Sequence, residues 1–445
     1  MKALKHFLPV LIFFLSSNLF SQYFWTEQVT GVTQNLTSVS NIDANNAWVC
    51  GYNGTVIKTS NAGYNWANLS GGGLPANISL INIFGISPTT ALTAGFINTT
   101  TYVYRTSNSG ANWQLVFTQP NGFINGIWMQ TASNGFMQGD PVGERWSIFR
   151  TTNGGVNWDS TGQYLAQSNG ELGWNNSVWG VNNGIWFGTD KSRIYYSSTG
   201  NLPWVQQPTG VNVNLYSIWI NPQNGLAGMT SGDSISRTTN AGTNWIVNPS
   251  IGTGAITGIS GITGTLNYWY TRSNNNVYFS NAGAPFVIQY TAPSGNFNHL
   301  ANSRTGPVWG PGAIYAVRSD GGISRLNFFI EGVTIISNEI PGSYKLHQNY
   351  PNPFNATTVF KFEAPKLSSS LGGEVRGGYI RLITYNALGQ ETGSLVNEVL
   401  QPGIYKVEWS GNDLASGIYF YRLLVTDPNS GSIVYSDSKK MVMIK

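Results

Sequence analysis

The sequence predicts an all-β protein, a seven-bladed β-propeller followed by a small immunoglobulin-like β-sandwich. A short motif that ends in an aromatic residue recurs every 41–47 residues within residues 23–330. The chain contains 53 glycines and only 9% charged residues, a composition that suits short strands and tight turns better than helices. After residue 330 the motif stops, and alternating strands separated by Gly and Pro continue to the end of the chain.

The repeat is clearest in Thr59-Ser-Asn-Ala-Gly-Tyr-Asn-Trp66. Its aromatic end recurs at spacings of 47, 45, 46, 41 and 41 residues, at Trp113, Trp158, Trp204, Trp245 and Phe286. A period of this length, built from short strands, is typical of one four-stranded propeller blade. Within the first unit, Asn53-Gly54 predicts a two-residue hairpin turn because both positions need a positive φ. The same reasoning predicts positive φ at Asn61 and Gly63 in the next turn.

A seventh unit begins at Ser319-Asp-Gly-Gly322 but has no closing tryptophan after it. Trp25, near the start of the chain, is a candidate for the missing residue. We therefore expect residues 23–28 to supply the outer strand of the last blade, which would leave no unpaired strand edge between the first and last blades. The alternative is that Ile323–Phe328 occupies this position.

The turn pattern Thr59-x-Asn61-x-Gly63-x-x-Trp66 resembles the Asp-box (BNR) repeat of sialidase-like propellers. The complete unit, residues 36–66, resembles more closely the propellers related to photosystem II assembly factors. Both resemblances imply the fold over residues 22–330, although Asn replaces the Asp in most copies. Neither carries a catalytic residue across, because the Arg-Ile-Pro motif of sialidases does not occur in the chain.

The N-terminus has the order of a secretory signal peptide. Lys2 and Lys5 precede the apolar run 7–14, and small residues follow it. We expect residues 1–21 to be removed by cleavage after Ser21. No other apolar stretch approaches the roughly 18 residues that a spanning helix needs, so we expect no membrane span.

The last hundred residues carry a second set of motifs. Residues 346–355 read Leu-His-Gln-Asn-Tyr-Pro-Asn-Pro-Phe-Asn, and residues 414–423 read Leu-Ala-Ser-Gly-Ile-Tyr-Phe-Tyr-Arg-Leu. Residues 344–445 closely resemble the type A C-terminal sorting domain of the Bacteroidetes type IX secretion system, with residues 331–343 as a linker. The resemblance implies Sec export to the periplasm, recognition by the outer-membrane type IX translocon, and a secreted or surface-attached product.

Composition excludes several classes of site. Residues 23–330 carry 11 basic and 9 acidic side chains, a net charge near +2 (11 − 9), so no nucleic-acid partner is expected. Cys50 is the only cysteine, and His299 and His347 are the only histidines beyond the leader. A thiolate cluster or a multi-histidine metal site is therefore excluded by count, and we expect no metal and no cofactor.

Two groups of residues are candidates for ligand binding. The insert at residues 139–146 concentrates Asp140, Glu144 and Arg145 in a domain with few charges, and a charged loop at a propeller rim can carry a site. The alternative is a solvent-exposed hairpin with no ligand.

Aromatic side chains form the second group. Trp174, Trp186 and Trp269 fall outside the regular pattern and could stack on a glycan. Three further tryptophans recur at one inner-strand position, which favours packing between blades over ligand binding: Trp128, Trp179 and Trp219.

These observations predict a secreted or cell-surface binding propeller without a catalytic residue, whose ligand is a glycan or a protein. Two alternatives remain open. One is a glycoside hydrolase of the sialidase-like propeller type, which would need two positioned carboxyl groups. The other is a scaffold or assembly factor for exported proteins.

Overall fold

The computed structural model describes the chain from Tyr23 to Lys445. The residues within this range that it does not describe are 44, 64, 211–213, 222–227, 233, 263–265, 282, 303–313, 329–332, 338, 367–377, 401, 412–413 and 428–431. The predicted leader, residues 1–21, lies outside the described residues. The described residues form strands and turns and no helix, which confirms the all-β prediction. Accordingly, none of them belongs to a helix that could cross a membrane.

The described chain divides into two compact units, residues 24–327 and residues 328–445. The strands of the first unit are β1 (Tyr23–Gln28), β2 (Leu36–Asn41), β3 (Ala47–Gly51), β4 (Val56–Thr59), β5 (Ala67–Asn68), β6 (Ser79–Gly85), β7 (Ala91–Ile97), β8 (Thr100–Thr106), β9 (Gln114–Pro120), β10 (Ile124–Met129), β11 (Gly135–Val142), β12 (Arg145–Thr151), β13 (Gly173–Val181), β14 (Gly184–Thr189), β15 (Arg193–Ser197), β16 (Val205–Pro208), β17 (Ser217–Ile220), β18 (Gly228–Ser231), β19 (Ile235–Thr238), β20 (Ile246–Asn248), β21 (Ile256–Gly261), β22 (Tyr268–Arg272), β23 (Asn276–Ser280), β24 (Val287–Thr291), β25 (Phe297–Asn302), β26 (Ile314–Arg318) and β27 (Ile323–Phe328).

These strands form small antiparallel sheets that follow one another along the chain. Consecutive strands make up the sheets β2–β5, β6–β9, β10–β12, β13–β16, β17–β20 and β21–β24, and the last sheet has the order β1-β27-β26-β25. The first strand of each sheet contacts the first strand of the next, and β25 contacts β2. The first strands therefore surround a common axis, and apolar clusters fill the spaces between neighbouring sheets.

The repeated turn is held by its Thr and Asn side chains. In the first copy, the Thr59 hydroxyl accepts the Gly63 N–H (2.8 Å), and Asn61 Oδ1 accepts the Asn65 N–H (3.0 Å). The copies at Thr106, Thr151 and Thr238 make the same bonds. Asn thus supplies the acceptor that an Asp would supply in this turn.

The backbone of these turns confirms one prediction and corrects another. Asn53 and Gly54 both have positive φ, +56° and +62°, as a two-residue hairpin turn requires. In the next turn the left-handed residues are Ala62 and Gly63, and the prediction for Asn61 was wrong. The Asn61 side chain instead accepts the N–H of Asn65, four residues further on, and the left-handed conformation falls to Ala62.

The N-terminal strand completes the last sheet, as predicted. β1 pairs with β27, so Ile323–Phe328 is the third strand of that sheet and not its outer one. The Glu27 carboxylate accepts bonds from Arg318 Nη2 (2.6 Å), the Ser324 hydroxyl (2.6 Å) and the Tyr290 hydroxyl (2.5 Å). Trp25 Nε1 donates to Gln289 Oε1 (3.0 Å). Side chains from two sheets therefore hold the strand in place.

The second unit contains two four-stranded antiparallel sheets, β28-β33-β30-β29 and β32-β31-β34-β35. Its strands are β28 (Val333–Ser337), β29 (Lys345–Leu346), β30 (Thr357–Ala364), β31 (Tyr379–Asn386), β32 (Glu391–Val399), β33 (Gly403–Ser410), β34 (Gly417–Thr426) and β35 (Ile433–Met443). Side chains from both sheets, including Phe360 and Leu423, share one buried cluster. The segment 331–343, expected to be a linker, contains β28, which pairs with β33 because its Val-Thr-Ile-Ile run favours extended backbone.

Candidate functional site

The first strands around the axis are joined by a repeated polar contact. In four of them, a side chain accepts a backbone N–H from the first strand of the next sheet: Ser38 from Ile83 (3.4 Å), Asn82 from Ile127 (3.1 Å), Ser217 from Ile259 (3.2 Å) and His299 from Val39 (3.1 Å). Gly126 and Gly258 occupy the same position in two further strands. A Cβ on either glycine would come within 2.4–2.5 Å of the adjacent strand, so close packing replaces the side-chain bond there.

His299 makes the contact that joins the last sheet to the first. It lies on strand β25 and lines the axial channel. Desolvation by the surrounding strands lowers its pKa to about 4, so at neutral pH the ring is uncharged and Nδ1 can accept the Val39 N–H. His299 therefore has a structural role in closing the ring of strands.

The channel is blocked by Asn176. Its Oδ1 accepts bonds from Ser38 Oγ (2.7 Å) and Asn82 Nδ2 (2.8 Å), and its Nδ2 donates to the Thr37 carbonyl (3.1 Å). The register of β13 shifts between Gly173 and Val178, and Asn176 has a φ of +65° within this bulge. The remaining axial cavity is about 60 Å³, which suits a few water molecules and not an organic ligand.

Aromatic side chains lie near the ends of four consecutive first strands. At equivalent positions these strands carry Phe84, Trp128, Trp179 and Trp219, whereas the other three carry Ser40, Ser260 and Ala301. Phe84 lies 5.4 Å from Trp128, and Trp128 lies 5.1 Å from Trp179, measured between ring centroids. Trp128 packs against two neighbouring clusters, as predicted for this position, and its remaining exposed surface faces a cavity.

A cavity of about 440 Å³ opens beside these aromatic rings, and we call it the exit cup. Its lining residues come from the ends of β2, β6, β10 and β13 and the turns that follow: Ile42, Phe84, Ile86, Trp128, Met129, Gln130, Thr131, Ala132, Gly180 and Asn182. Its volume falls in the range of ligand pockets, about 300–1,000 Å³. None of these lining residues is charged, so the exit cup suits an uncharged, largely apolar group.

Sequence reasoning missed the exit cup. The available signal was that Ile42 and Ile86 directly follow the first strands of two neighbouring sheets, where turn residues are usually polar. One residue in the wall also has a steric requirement. A Cβ at Gly180 would lie 2.2 Å from Trp128 Nε1, so only glycine leaves room for this indole.

The charged hairpin predicted from residues 139–146 is present, but its charges do not form one site. Asp140 lies at its base, where Oδ1 accepts bonds from Asn125 Nδ2 (2.7 Å) and the Gly173 N–H (2.8 Å). Glu144 is exposed at the turn, with a φ of +62°. The Arg145 guanidinium lies over the Tyr164 ring, 5.7 Å from its centroid.

Burial raises the pKa of Asp140, and its two hydrogen bonds oppose that shift. These bonds attach the start of β13 to the preceding sheet, so the carboxylate has a structural partner on each side. The geometry therefore gives Asp140 a role in positioning β13 and gives Glu144 and Arg145 no shared ligand-binding arrangement with it.

The three tryptophans predicted to stack on a glycan lie in different environments. Trp186 is 2% exposed and stacks on Tyr196, and Trp269 is 0% exposed and stacks on Phe279. Neither presents a ring face to solvent, so we do not include them in the site. Trp174 is half-buried against Tyr216, with ring centroids 4.5 Å apart, and it retains some exposed surface.

A buried ionic network was also missed. The Glu171 side chain has no exposed surface; it accepts a short hydrogen bond from the Tyr195 hydroxyl and lies 3.1 Å from Arg193 Nε. Burial and this carboxylate raise the pKa of Tyr195. Because the carboxylate is enclosed and paired with Arg193, it offers no general acid to a substrate. Among the described residues, no group of three or more His, Cys, Asp or Glu could hold a metal ion.

Comparison with known proteins places the fold. The sequence matches no protein-family profile and no curated protein. Similar solved structures include "YCF48 bound to D1 peptide" (TM-score 0.53, 15% identity, 69% of this chain and 97% of that chain) and YCF48 from Cyanidioschyzon merolae (TM-score 0.53, 15% identity, 68% and 98%). The WD40 β-propeller domain of Doa1 is also similar (TM-score 0.53, 12% identity, 69% and 97%). At these identities the comparisons show the fold alone: the first unit is a β-propeller, as predicted.

Proposed function

We propose that this protein is a non-catalytic binding propeller that recognises another protein outside the cell or at the cell surface. The observation that carries the proposal is the exit cup, an uncharged cavity of about 440 Å³ beside a row of aromatic rings. Ile86 and Trp128 remain partly exposed in this cavity, and apolar surface that stays accessible in a folded unit is typical of an interaction site. The similar structure of YCF48 contains a D1 peptide, and this is one instance of a peptide bound to the same fold.

The proposal includes the architecture and the route of export. A ring of seven Asp-box blades is followed by an immunoglobulin-like sandwich that acts as the type IX sorting domain. Residues 1–21 direct the chain to the periplasm, and the translocon recognises residues 344–445. The motifs at residues 346–355 and 414–423 support this assignment. The two sheets with a common core support a sandwich that folds as its own unit.

The binding role is tested by exposing the purified chain to a phage library of linear 12-residue peptides. A glycan array and a hydrolysis assay on the same sugars run in parallel. Enrichment of peptides, with no bound glycan and no turnover, is the expected result. If the chain bound a glycan and Trp174→Ala abolished this binding, the ligand would be a sugar and not a protein. Turnover abolished by Asp140→Asn or Glu144→Gln would establish the glycoside hydrolase and refute the non-catalytic role.

Export is tested by producing the full chain and a chain that ends at residue 343 in a bacterium with a type IX system. The full chain should reach the medium or the cell surface, and the shortened chain should stay in the periplasm. A strain that lacks the translocon is the control, and it should retain both. Release of the shortened chain would refute the sorting role of the tail.

A scaffold for the assembly of exported proteins is the second candidate. It uses the same exit cup and differs in the lifetime of the complex. A partner that dissociates after export is complete would favour the scaffold over a stable surface receptor.

A further inference from the structure

We propose that the exit cup accepts one large apolar side chain from an uncharged, extended segment of the partner protein. This inference rests on the proposed function and specifies its site. Trp128 and Ile86 are partly exposed in the cup, and the buried side chains of Phe84, Ile42 and Met129 complete its apolar lining. Aromatic and aliphatic surfaces that converge on one cavity match an anchoring side chain of the kind that dominates protein interfaces.

The wall of the cup is preorganised. The Thr131 hydroxyl accepts the N–H groups of Ser133 (3.2 Å) and Asn134 (2.9 Å), and the Gln130 N–H bonds the Asn134 carbonyl (2.9 Å). The Gln130 side chain is held as well, since its Oε1 accepts a bond from Arg150 (3.1 Å). A turn held by these bonds keeps its shape before a ligand arrives, which lowers the entropic cost of binding.

The absence of charged residues in the cup indicates which partner segment can bind there. The cup contains no charged lining residue, and the nearby Arg150 already bonds Gln130 and the Gly200 carbonyl. A charged side chain entering the cup would lose its hydration without gaining a counter-ion. Asn182 is exposed at the lip and offers an amide to the main chain of an extended segment. The recognised segment therefore carries a large apolar residue with uncharged neighbours.

Ala132 allows a direct test because it is exposed and lines the cup, while Ser133 is exposed on the same turn and does not line it. Calorimetry measures the affinity of peptides selected from the 12-residue library for the wild-type chain, Ala132→Trp and Ala132→Asp. The matched controls are Ser133→Trp and Ser133→Asp. We expect selected peptides to share a large apolar residue. Both Ala132 variants should weaken binding at least tenfold, while the Ser133 variants stay within twofold.

Thermal unfolding of each variant verifies that the turn still folds. Peptides that bind Ala132→Trp and Ala132→Asp as tightly as the wild type would overturn the cup as the site and leave the binding function intact. Selected peptides rich in charged residues would overturn the chemistry proposed for the partner. No enrichment of any peptide would refute the proposed function and this inference together.

Discussion

His299 predicts a specific pH dependence of stability in the propeller. The native environment lowers its pKa from 6.5 to about 4, because the surrounding strands desolvate the ring. Below pH 6.5 the unfolded chain binds a proton at His299 that the native state does not bind until about pH 4. The stabilising contribution is therefore fully present above pH 6.5 and is lost as the pH falls toward 4.

The magnitude follows from the same pKa. The pKa shift of His299 corresponds to a change of about 3 kcal/mol in the free energy of unfolding, at 1.36 kcal/mol per pKa unit. Water in the channel would reduce this value. Urea unfolding followed by tryptophan fluorescence measures the effect, since 15 of the 16 tryptophans precede residue 330. In His299→Gln the titrating ring is absent, so the stability difference from the wild type should shrink between pH 7 and pH 4.

The control for this prediction is His347→Gln, which removes the histidine of the second unit that pairs with Glu363 at 2.6 Å. It should leave the pH dependence of the propeller transition unchanged. A stability difference between the wild type and His299→Gln that stays constant from pH 7 to pH 4 would refute the reasoning. In that case the native ring would be protonated at the same pH as in the unfolded chain.

Substitutions at three further residues test other parts of the fold, each by the urea midpoint of the propeller transition. Glu27→Ala should cost about 2–3 kcal/mol, because it removes the carboxylate that pairs with the buried Arg318 guanidinium and holds the N-terminal strand. Asn61→Ala should cost about 1 kcal/mol by deleting the acceptor within the repeated turn, and Asn61→Asp should be nearly neutral. Gly180→Ala should cost about 1–3 kcal/mol, because its Cβ would overlap the indole of Trp128.

Matched controls accompany these variants. Glu144→Ala removes an exposed carboxylate from the hairpin turn and should change stability by less than about 0.5 kcal/mol. Gly342→Ala lies in the second unit, adds a Cβ that meets no atom within 4 Å, and should leave the urea midpoint of that unit unchanged. If Glu27→Ala were as mild as Glu144→Ala, the N-terminal strand would not hold the last sheet as described.

Local patterns in the sequence predicted those features whose physical cause is local. The turn around Thr59 and Asn61 is held by bonds within a few residues, so its repetition predicted the strands and their period. The role of Trp25 followed from counting, because one repeat lacked an aromatic residue and the N-terminus had one to offer. The β28 strand was missed although its β-branched run favours extended backbone, because its pairing partner β33 lies far along the chain and the segment was interpreted as a linker.

The candidate site could not be predicted from local patterns, because it depends on contacts between residues that are far apart in the sequence. Asp140 was noticed for its charge, yet contacts with Asn125 and Gly173 from two other segments determine its role. Trp186 and Trp269 were noticed for their irregular spacing, but the packing of their sheets buries them.

The sequence by itself therefore determined the all-β class, the repeat and its turns, and the strand that completes the last sheet. The class and the repeat depend on backbone conformation and on bonds between near neighbours, which the residue types specify directly, whereas the closing strand followed from counting the repeats. Only the tertiary structure decided that Asn176 blocks the axial channel, that His299 joins the last strand to the first, and that an uncharged cup lies open. Each of these joins residues far apart in the chain, and their meeting depends on how the sheets pack around the axis.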